Sequence, residues 1–358
     1  MGFKIDKKIV SLLFLIVVLL FSIFFHSKEK QNSIISAETK ITSQETKLLN
    51  FDKINFSLFF TGDSMLDRYN RTVLENFGAT NIAREVKKIN RPYDLRVTNL
   101  EGTVTDNSSV SVGTEISQVD HMKFTFDQKD TADFLKEFNF NVVNIGNNHI
   151  LDFGQAGLQQ TKEFLRGNEI DYFGDPYNHK AYLIKEIGDE KIAFVNYNQF
   201  FGPIVSETAS LISGLKNEVD FLIVYTHWGD EYSLKENEFQ RKTAYQFIDN
   251  GADLIIGTHP HVIQSIEIYK NKAIFYSLGN FFFDQYFSEE VKERLSVGVF
   301  INDEEAIFYL TPLYSNNQKI TLAKKEKRKK ILDRISFDSK VNQAIKNQIK
   351  QGEFFVLR

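Results

Sequence analysis

Two histidines bracket a proline in Thr258-His259-Pro260-His261, directly after the apolar run Ala252-Asp253-Leu254-Ile255-Ile256-Gly257. If that run is a buried strand, both imidazoles emerge at its C-terminal end, where open α/β sheets place their ligands. The same pattern recurs along the chain. Asn147-Asn148-His149 follows the strand-like stretch 140–145, and His227 ends the stretch 221–226. Asp63 closes 56–61 and Glu101 closes 95–100. Strand ends thus offer Asp, Glu, Asn-His, His and His-x-His to a single rim, and a hard or borderline divalent metal takes such a mixed oxygen and nitrogen set.

The elements that must position these groups alternate between strand and helix from Phe51 to about Gly257, which predicts parallel strands covered by helices. Helices are expected over 75–89, 131–138, 155–166, 208–216 and 236–248. Beyond His261 the pattern is strands alone. Stretches 262–269 and 273–278 flank Lys270-Asn271-Lys272, and 295–301 and 306–313 flank Asn302-Asp303-Glu304. Both read as hairpins, so a second, antiparallel sheet is expected to pack on the first. A long polar loop over 102–123 lies beside Glu101, and loops of that length are characteristically functional or disordered. Gly62, Gly146, Gly154 and Gly257 are expected to let backbone approach the site.

The bulk composition narrows the partners. Of 358 residues, 42% are hydrophobic and 14% aromatic, enough for a large core. A net charge of −4 argues against nucleic acid, whose phosphates demand a basic face. Cysteine is absent, so any metal must be held by His, Asn and carboxylates. Ile9 to Phe25 is apolar apart from Ser11 and Ser22 and follows Lys4, Lys7 and Lys8. We read residues 1–26 as an uncleaved transmembrane signal-anchor with its N-terminus in the cytoplasm. Residues 27–50, polar and rich in Ser, Thr and Lys, read as a flexible linker. The expected location is therefore the cell membrane, single-pass, with the C-terminal domain extracellular. Residues 51–322 form the expected domain, and 323–358, which carry Lys324-Lys325-Glu326-Lys327-Arg328-Lys329-Lys330, a basic C-terminal tail with a helix over 339–350.

Six segments occur in a telling order: Gly62-Asp63-Ser64-Met65, Asn99-Leu100-Glu101-Gly102-Thr103, the run from Gly146 to Gly154, Thr226-His227-Trp228-Gly229, Gly257-Thr258-His259-Pro260-His261 and Ser277-Leu278-Gly279-Asn280-Phe281. Together they resemble the CapA/PgsA-like family of bacterial capsule and poly-γ-glutamate synthesis proteins over roughly residues 53–315. The resemblance implies a metallophosphoesterase-like α/β sandwich, two packed mixed sheets flanked by helices, behind the N-terminal anchor. It implies one or two divalent ions (Mn, Zn or Fe). Asp63 and His261 would hold the first, Asn148, His227 and His259 the second, and Glu101 would bridge. His149 would face the scissile group as a catalytic residue. Asn147, Asp152, Trp228 and Asn280 are candidate pocket residues. The chain departs from the phosphoesterase pattern at Met65, where a histidine ligand is expected, and at Ile150, where an acidic residue orients the catalytic histidine.

Three functions follow as expectations. The first is a metal-dependent hydrolase or transferase acting outside the cell on a phosphoester or an anionic polymer such as poly-γ-glutamate. The second is a non-catalytic accessory subunit beside polymer synthase or export subunits. The third is a cell-wall binding module, with aromatic residues such as Trp228 stacking on sugars.

Overall fold

The structure, a computed structural model, describes residues 54–89, 91–115, 117–177, 181–316 and 319–358. The chain passes through β1 (Phe56–Ser64), helix Arg68–Ala83, β2 (Leu95–Leu100), the short pair β3 (Thr103–Val104) and β4 (Thr125–Phe126), helix Gln128–Glu137, β5 (Val142–Asn144), helix Gly154–Gly167 and β6 (Asp171–Phe173). A hairpin of β7 (Tyr182–Ile187) and β8 (Glu190–Asn198) follows, then helix Val205–Leu215, β9 (Phe221–His227), helix Glu238–Asp249 and β10 (Leu254–Thr258). The remainder is β11 (Ile266–Tyr269), β12 (Lys272–Phe275), β13 (Asn280–Phe282), a helical turn Glu289–Lys292, β14 (Glu293–Ile301), β15 (Glu305–Asn316), β16 (Lys319–Leu322), helices Lys325–Asp338 and Gln343–Gln351, and β17 (Glu353–Leu357).

These strands form two mixed sheets. One has the order β16-β15-β14-β1-β2-β5-β6, with β13 beside β1 and β17 beside β15; the other has the order β11-β12-β10-β9-β8-β7. Alternate residues of both sheets fill the space between them: Phe56, Leu58 and Phe60 of β1 meet Phe194, Ile223, Tyr225 and Ile256 from the other sheet. Helices cover the outer faces. Phe134, Leu135, Leu158 and Leu165 pack on the β1 sheet, and Ile212, Leu215, Ala244 and Phe247 on the β9 sheet. The expected architecture of two packed mixed sheets flanked by helices is therefore observed.

The division between the sheets differs from the expectation. The strands beyond His261 do not make a separate antiparallel sheet: β11 and β12 extend the β10 sheet, while β14 and β15 return to pair antiparallel with β1 and with each other. A period of two tells which residues share a face, and says nothing about which edge a strand will pair with. Four of the five expected helices start earlier than the apolar pattern implied, and the fifth, expected from 236, starts at Glu238; in two of the four a polar cap precedes the apolar face. Asp67 accepts from Arg68 N, and Asp127 accepts from Asp130 N.

The C-terminal stretch read as a basic tail is built into the same core. Ile331, Leu332, Ile335, Ile349, Phe354 and Val356 are buried in the inter-sheet cluster, and β17 pairs with β15 from Glu305 to Tyr309. The lysine run forms the solvent side of helix Lys325–Asp338, whose other face is apolar. Among the described residues no helix is long and apolar enough to cross a membrane. The anchor and the whole of the linker, with His26, fall outside the described residues, as does His179.

Candidate metal centre

Asp63 lies at the end of β1, Glu101 just beyond β2, Asn148 and His149 beyond β5, His227 at the end of β9, and His259 and His261 beyond β10. Strands β1, β2 and β5 run parallel in one sheet, β9 and β10 in the other. Their C-terminal ends meet at one rim of the sandwich, so residues up to 198 positions apart come into contact there.

Ligand atoms of Glu101, His227 and His259 lie within 4.8 Å of one another, and so do those of Asp63, Glu101 and His261. All of these side chains are buried. Glu101 stands between the two groups: its Oε1 is 3.8 Å from His227 Nε2 and 3.8 Å from His261 Nε2. Asn148 Oδ1 lies 2.8 Å from His227 Nε2, and His259 Nδ1 lies 3.2 Å from the same nitrogen. His261 Nδ1 is 3.4 Å from Asp63 Oδ2. Both carboxylate oxygens of Glu101 are buried and have no hydrogen-bond partner. A buried carboxylate without donors is strongly disfavoured unless a cation or a proton compensates it. This orphaned carboxylate, ringed by imidazoles and a second carboxylate, is the donor chemistry a divalent metal takes.

Electrostatics follows from the burial. Glu101 is held well above the usual carboxylate range, first by burial and then by the neighbouring Asp63, with Arg68 opposing. His227 is held well below the usual imidazole range by burial, with His259, His261 and His149 adding to it. His259 is pushed down to about 3 by burial and by His261, against the pull of Asp63. Neutral imidazoles are the form that binds metal.

The backbone is shaped to hold this cluster. His259 and His261 both have positive φ, 93° and 59°, conformations that cost about 1–3 kcal/mol each and persist where surrounding structure enforces them. The His259 N–H donates to Asp63 Oδ2 at 3.0 Å, pinning the His-Pro-His turn to β1. Gly62 and Gly257 serve close approach: a Cβ would lie 1.7 Å from the Gly279 carbonyl oxygen at the first and 2.0 Å from that of Tyr276 at the second.

His149, the expected catalytic residue, faces the same cluster. Its Nδ1 lies 2.9 Å from Asp152 Oδ2, and its ring packs on Phe124 at 4.2 Å between centroids. Asp152 is itself held by the Phe124 N–H at 2.8 Å. The acid missing at Ile150 is thus supplied two residues further on, while Ile150 is buried in the outer core. Asn280 Oδ1 lies 2.9 Å from His261 Nδ1.

Two of the candidate pocket residues are fully buried and hold neighbouring backbone. Trp228 is buried among Tyr197, Tyr276 and Phe247 under the outer helices, with its Nε1 donating to the Tyr276 carbonyl at 2.9 Å. At the strand end its side chain points opposite to His227, as the period of two requires. Asn147 is buried and braces the loop: its Nδ2 donates to the Leu100 carbonyl at 2.8 Å, and its Oδ1 accepts from the His149 N–H at 3.1 Å. Met65, the position of the missing histidine, is fully buried in the outer core, and its Sδ accepts from Asp67 N at 3.0 Å.

Sequence reasoning gave no role to Asn99, which organises the floor. Its Nδ2 donates to Asp63 Oδ1 at 2.8 Å, and its Oδ1 accepts from Asn144 at 2.9 Å and Asn147 at 3.2 Å. The signal was its position two residues before Glu101, on the same face of the strand. Arg68 was also missed. It is paired with Asp284, lies over the Phe124 and Phe283 rings and is near enough to stabilise the Glu101 carboxylate. His121 Nε2 lies 3.3 Å from its Nη1.

The fold and the site define a two-sheet α/β protein with a histidine-carboxylate centre at the strand ends. The chain belongs to the bacterial capsule synthesis protein family PGA_cap, whose model matches residues 57–285. It is 34% identical over 248 residues to the PGA biosynthesis protein CapA of Bacillus subtilis (strain 168), covering 64% of this chain and 63% of that one. It is 28% identical over 250 residues to the capsule biosynthesis protein CapA of Bacillus anthracis, covering 64% and 60%. The match thus spans less than two thirds of either relative. A solved structure described as a novel phosphatase from Mycoplasma pneumoniae superposes with a TM-score of 0.45 at 17% identity, over 75% of this chain and 91% of that one.

Proposed function

We propose that this protein works in capsule synthesis at the outer face of the cell membrane, with a divalent-metal centre that performs hydrolysis or group transfer on an anionic polymer such as poly-γ-glutamate, or on a phosphoester. The observation that carries the reading is Glu101, a buried carboxylate with no donor, set between His227 and His261. Asp63, Glu101, Asn148, His227, His259 and His261 would hold one or two ions of Mn, Zn or Fe. A bound divalent ion supplies Lewis acidity toward an oxygen of the substrate or of water.

The chain's own residues do the rest. His149 donates from Nδ1 to Asp152, which leaves Nε2 free to carry a proton to a departing group and stabilises the charged ring once formed. Arg68, half-buried against the Phe124 and Phe283 rings and paired with Asp284, lies beside the centre. Burial keeps His227 and His259 neutral and ready to ligate.

A second reading is an accessory subunit of a polymer synthase or export assembly. It is favoured by Met65, whose thioether lies in the core and leaves the histidine position of the first site without a ligand. The relatives named as biosynthesis proteins are compatible with either role.

The test is elemental analysis of the purified protein and of the His259→Ala/His261→Ala variant after reconstitution with manganese, zinc or iron. Metal in the wild type that is lost in the variant supports the centre, and screening of phosphoesters and γ-glutamyl polymers follows. Absence of metal from both refutes the metal reading and leaves the accessory one.

A further inference from the structure

The first metal site has a gap that the chain can close from elsewhere. In β1 the residue two beyond Asp63 is Met65, and pairing with β13 is irregular between Asp63 and Ser64. Beyond that irregularity the backbone turns, the Met65 N–H donates to the Phe282 carbonyl at 2.8 Å, and the side chain enters the outer core. There it is fully buried, and sulfur of this kind is a poor ligand for a hard or borderline ion. Asp63, Glu101 and His261 then remain as the donors on that side, which is one short of the four a tetrahedral centre needs.

A further carboxylate stands beside His259 and His261. Glu231 lies on the turn between β9 and helix Glu238–Asp249, and its ligand atom is within 4.8 Å of those of His259 and His261. It is exposed, while the two histidines are buried, so it approaches the centre from solvent. Its place there is built. The Tyr232 N–H donates to the Pro260 carbonyl at 2.8 Å, and the Trp228 N–H donates to the Thr258 carbonyl at 3.2 Å. These two bonds bind the turn on either side of Glu231 to the His-Pro-His segment. Gly229, at φ 88°, and Tyr232, at φ 63°, give the turn its reversed course. Gly229 is held in turn by Gln199, whose Oε1 accepts its N–H at 2.8 Å. The negative charge of Glu231 reaches the buried centre, since it helps to raise Glu101.

We propose that Glu231 is a metal ligand on the His261 side of the centre, replacing from a neighbouring turn the donor that Met65 does not provide. This rests on the metal reading of the site given above. It makes one edge of the centre solvent-facing and carboxylate-ligated, where a histidine pattern would have placed a buried imidazole. Oxygen donors shift preference toward manganese or magnesium and away from softer ions.

The experiment is Mn²⁺ titration of the full-length protein, followed by calorimetry and by electron paramagnetic resonance. Wild type is compared with Glu231→Gln, which keeps the shape, and with Asp230→Asn, which removes a neighbouring charge bonded to Asn237. The expected result is a loss of about 10-fold or more in Mn²⁺ affinity for Glu231→Gln at one class of site, with an altered resonance spectrum and no change for Asp230→Asn. Melting in EDTA checks that both variants fold, as exposed positions should. Affinity and spectrum unchanged in Glu231→Gln would overturn the assignment while leaving the metal reading intact. Equal weakening in both variants would also overturn it, reducing Glu231 to a source of bulk charge. A wild type that takes up no Mn²⁺ would overturn both.

Discussion

Replacing Glu101 by glutamine should stabilise the metal-free protein and at the same time abolish its stabilisation by metal. The reasoning starts from two buried oxygens without a donor and a carboxyl held well above its ordinary value of 4.5. A raised carboxyl contributes its full stability below pH 4.5 and loses it as pH rises through the folded-state value. The unfolded chain ionises freely over that range while the native one does not. The cost to the wild type in EDTA therefore grows by at most about 1.4 kcal/mol for each pH unit above 4.5, with an upper limit of about 3.5 kcal/mol at pH 7. Glutamine has nothing to ionise, so the difference between the two proteins should be small near pH 4.5 and widen toward neutrality. With Mn²⁺ present the order reverses. A ligand at 100 times its dissociation constant adds about 2.7 kcal/mol to the wild type and little to Glu101→Gln. Urea denaturation at several pH values, in EDTA and in Mn²⁺, reads both effects. A variant less stable than wild type in EDTA at pH 7, or one that Mn²⁺ stabilises equally, would refute the argument.

Acid should unfold the metal-free protein through its depressed histidines. His227 and His259 stay neutral in the fold while the unfolded chain takes up protons below 6.5, so stability present above pH 6.5 is lost as pH falls toward about 3. Each histidine contributes about 1.4 kcal/mol per pH unit in that window, and Glu101 opposes them above 4.5; denaturation midpoints from pH 7 to pH 4 check the slope. Asn99→Leu should cost about 2–4 kcal/mol, because it strips bonds from Asp63, Asn144 and Asn147 at once. It should also weaken metal binding, which calorimetry measures. Deleting residues 323–358 should yield insoluble protein, since it uncovers the inter-sheet core at Ile331, Ile335 and Phe354; soluble expression of the truncated chain would contradict the packing.

Much of the site was legible along the chain because strand ends are marked locally. A run of apolar residues closing in Asp, Glu or His announces where a side chain leaves the sheet, and Asp63, Glu101, His227, His259 and His261 were all found that way. The Asp152 carboxylate that orients His149 sits three residues from it, within reach of one helical turn. Most helix positions were readable to within a few residues; the largest error, at both ends, is the helix expected over 75–89 and found at Arg68–Ala83, and Asp67 and Asp127 begin their helices ahead of the apolar face.

What sequence alone determined, then, is the inventory: alternating strands and helices, a metal-type donor set without cysteine, and the residues that end each strand. Tertiary structure decided which strands pair, because burial periodicity is the same on either sheet. Only there do β14 and β15 return to β1 and the basic C-terminal stretch become core. It also decided the environment of each donor. Glu101 is orphaned, Met65 is turned inward, Trp228 is walled off beneath the outer helices, and Glu231 is delivered to His261 by a turn 30 residues away in the chain. These are properties of through-space neighbours, and sequence spacing carries no record of them.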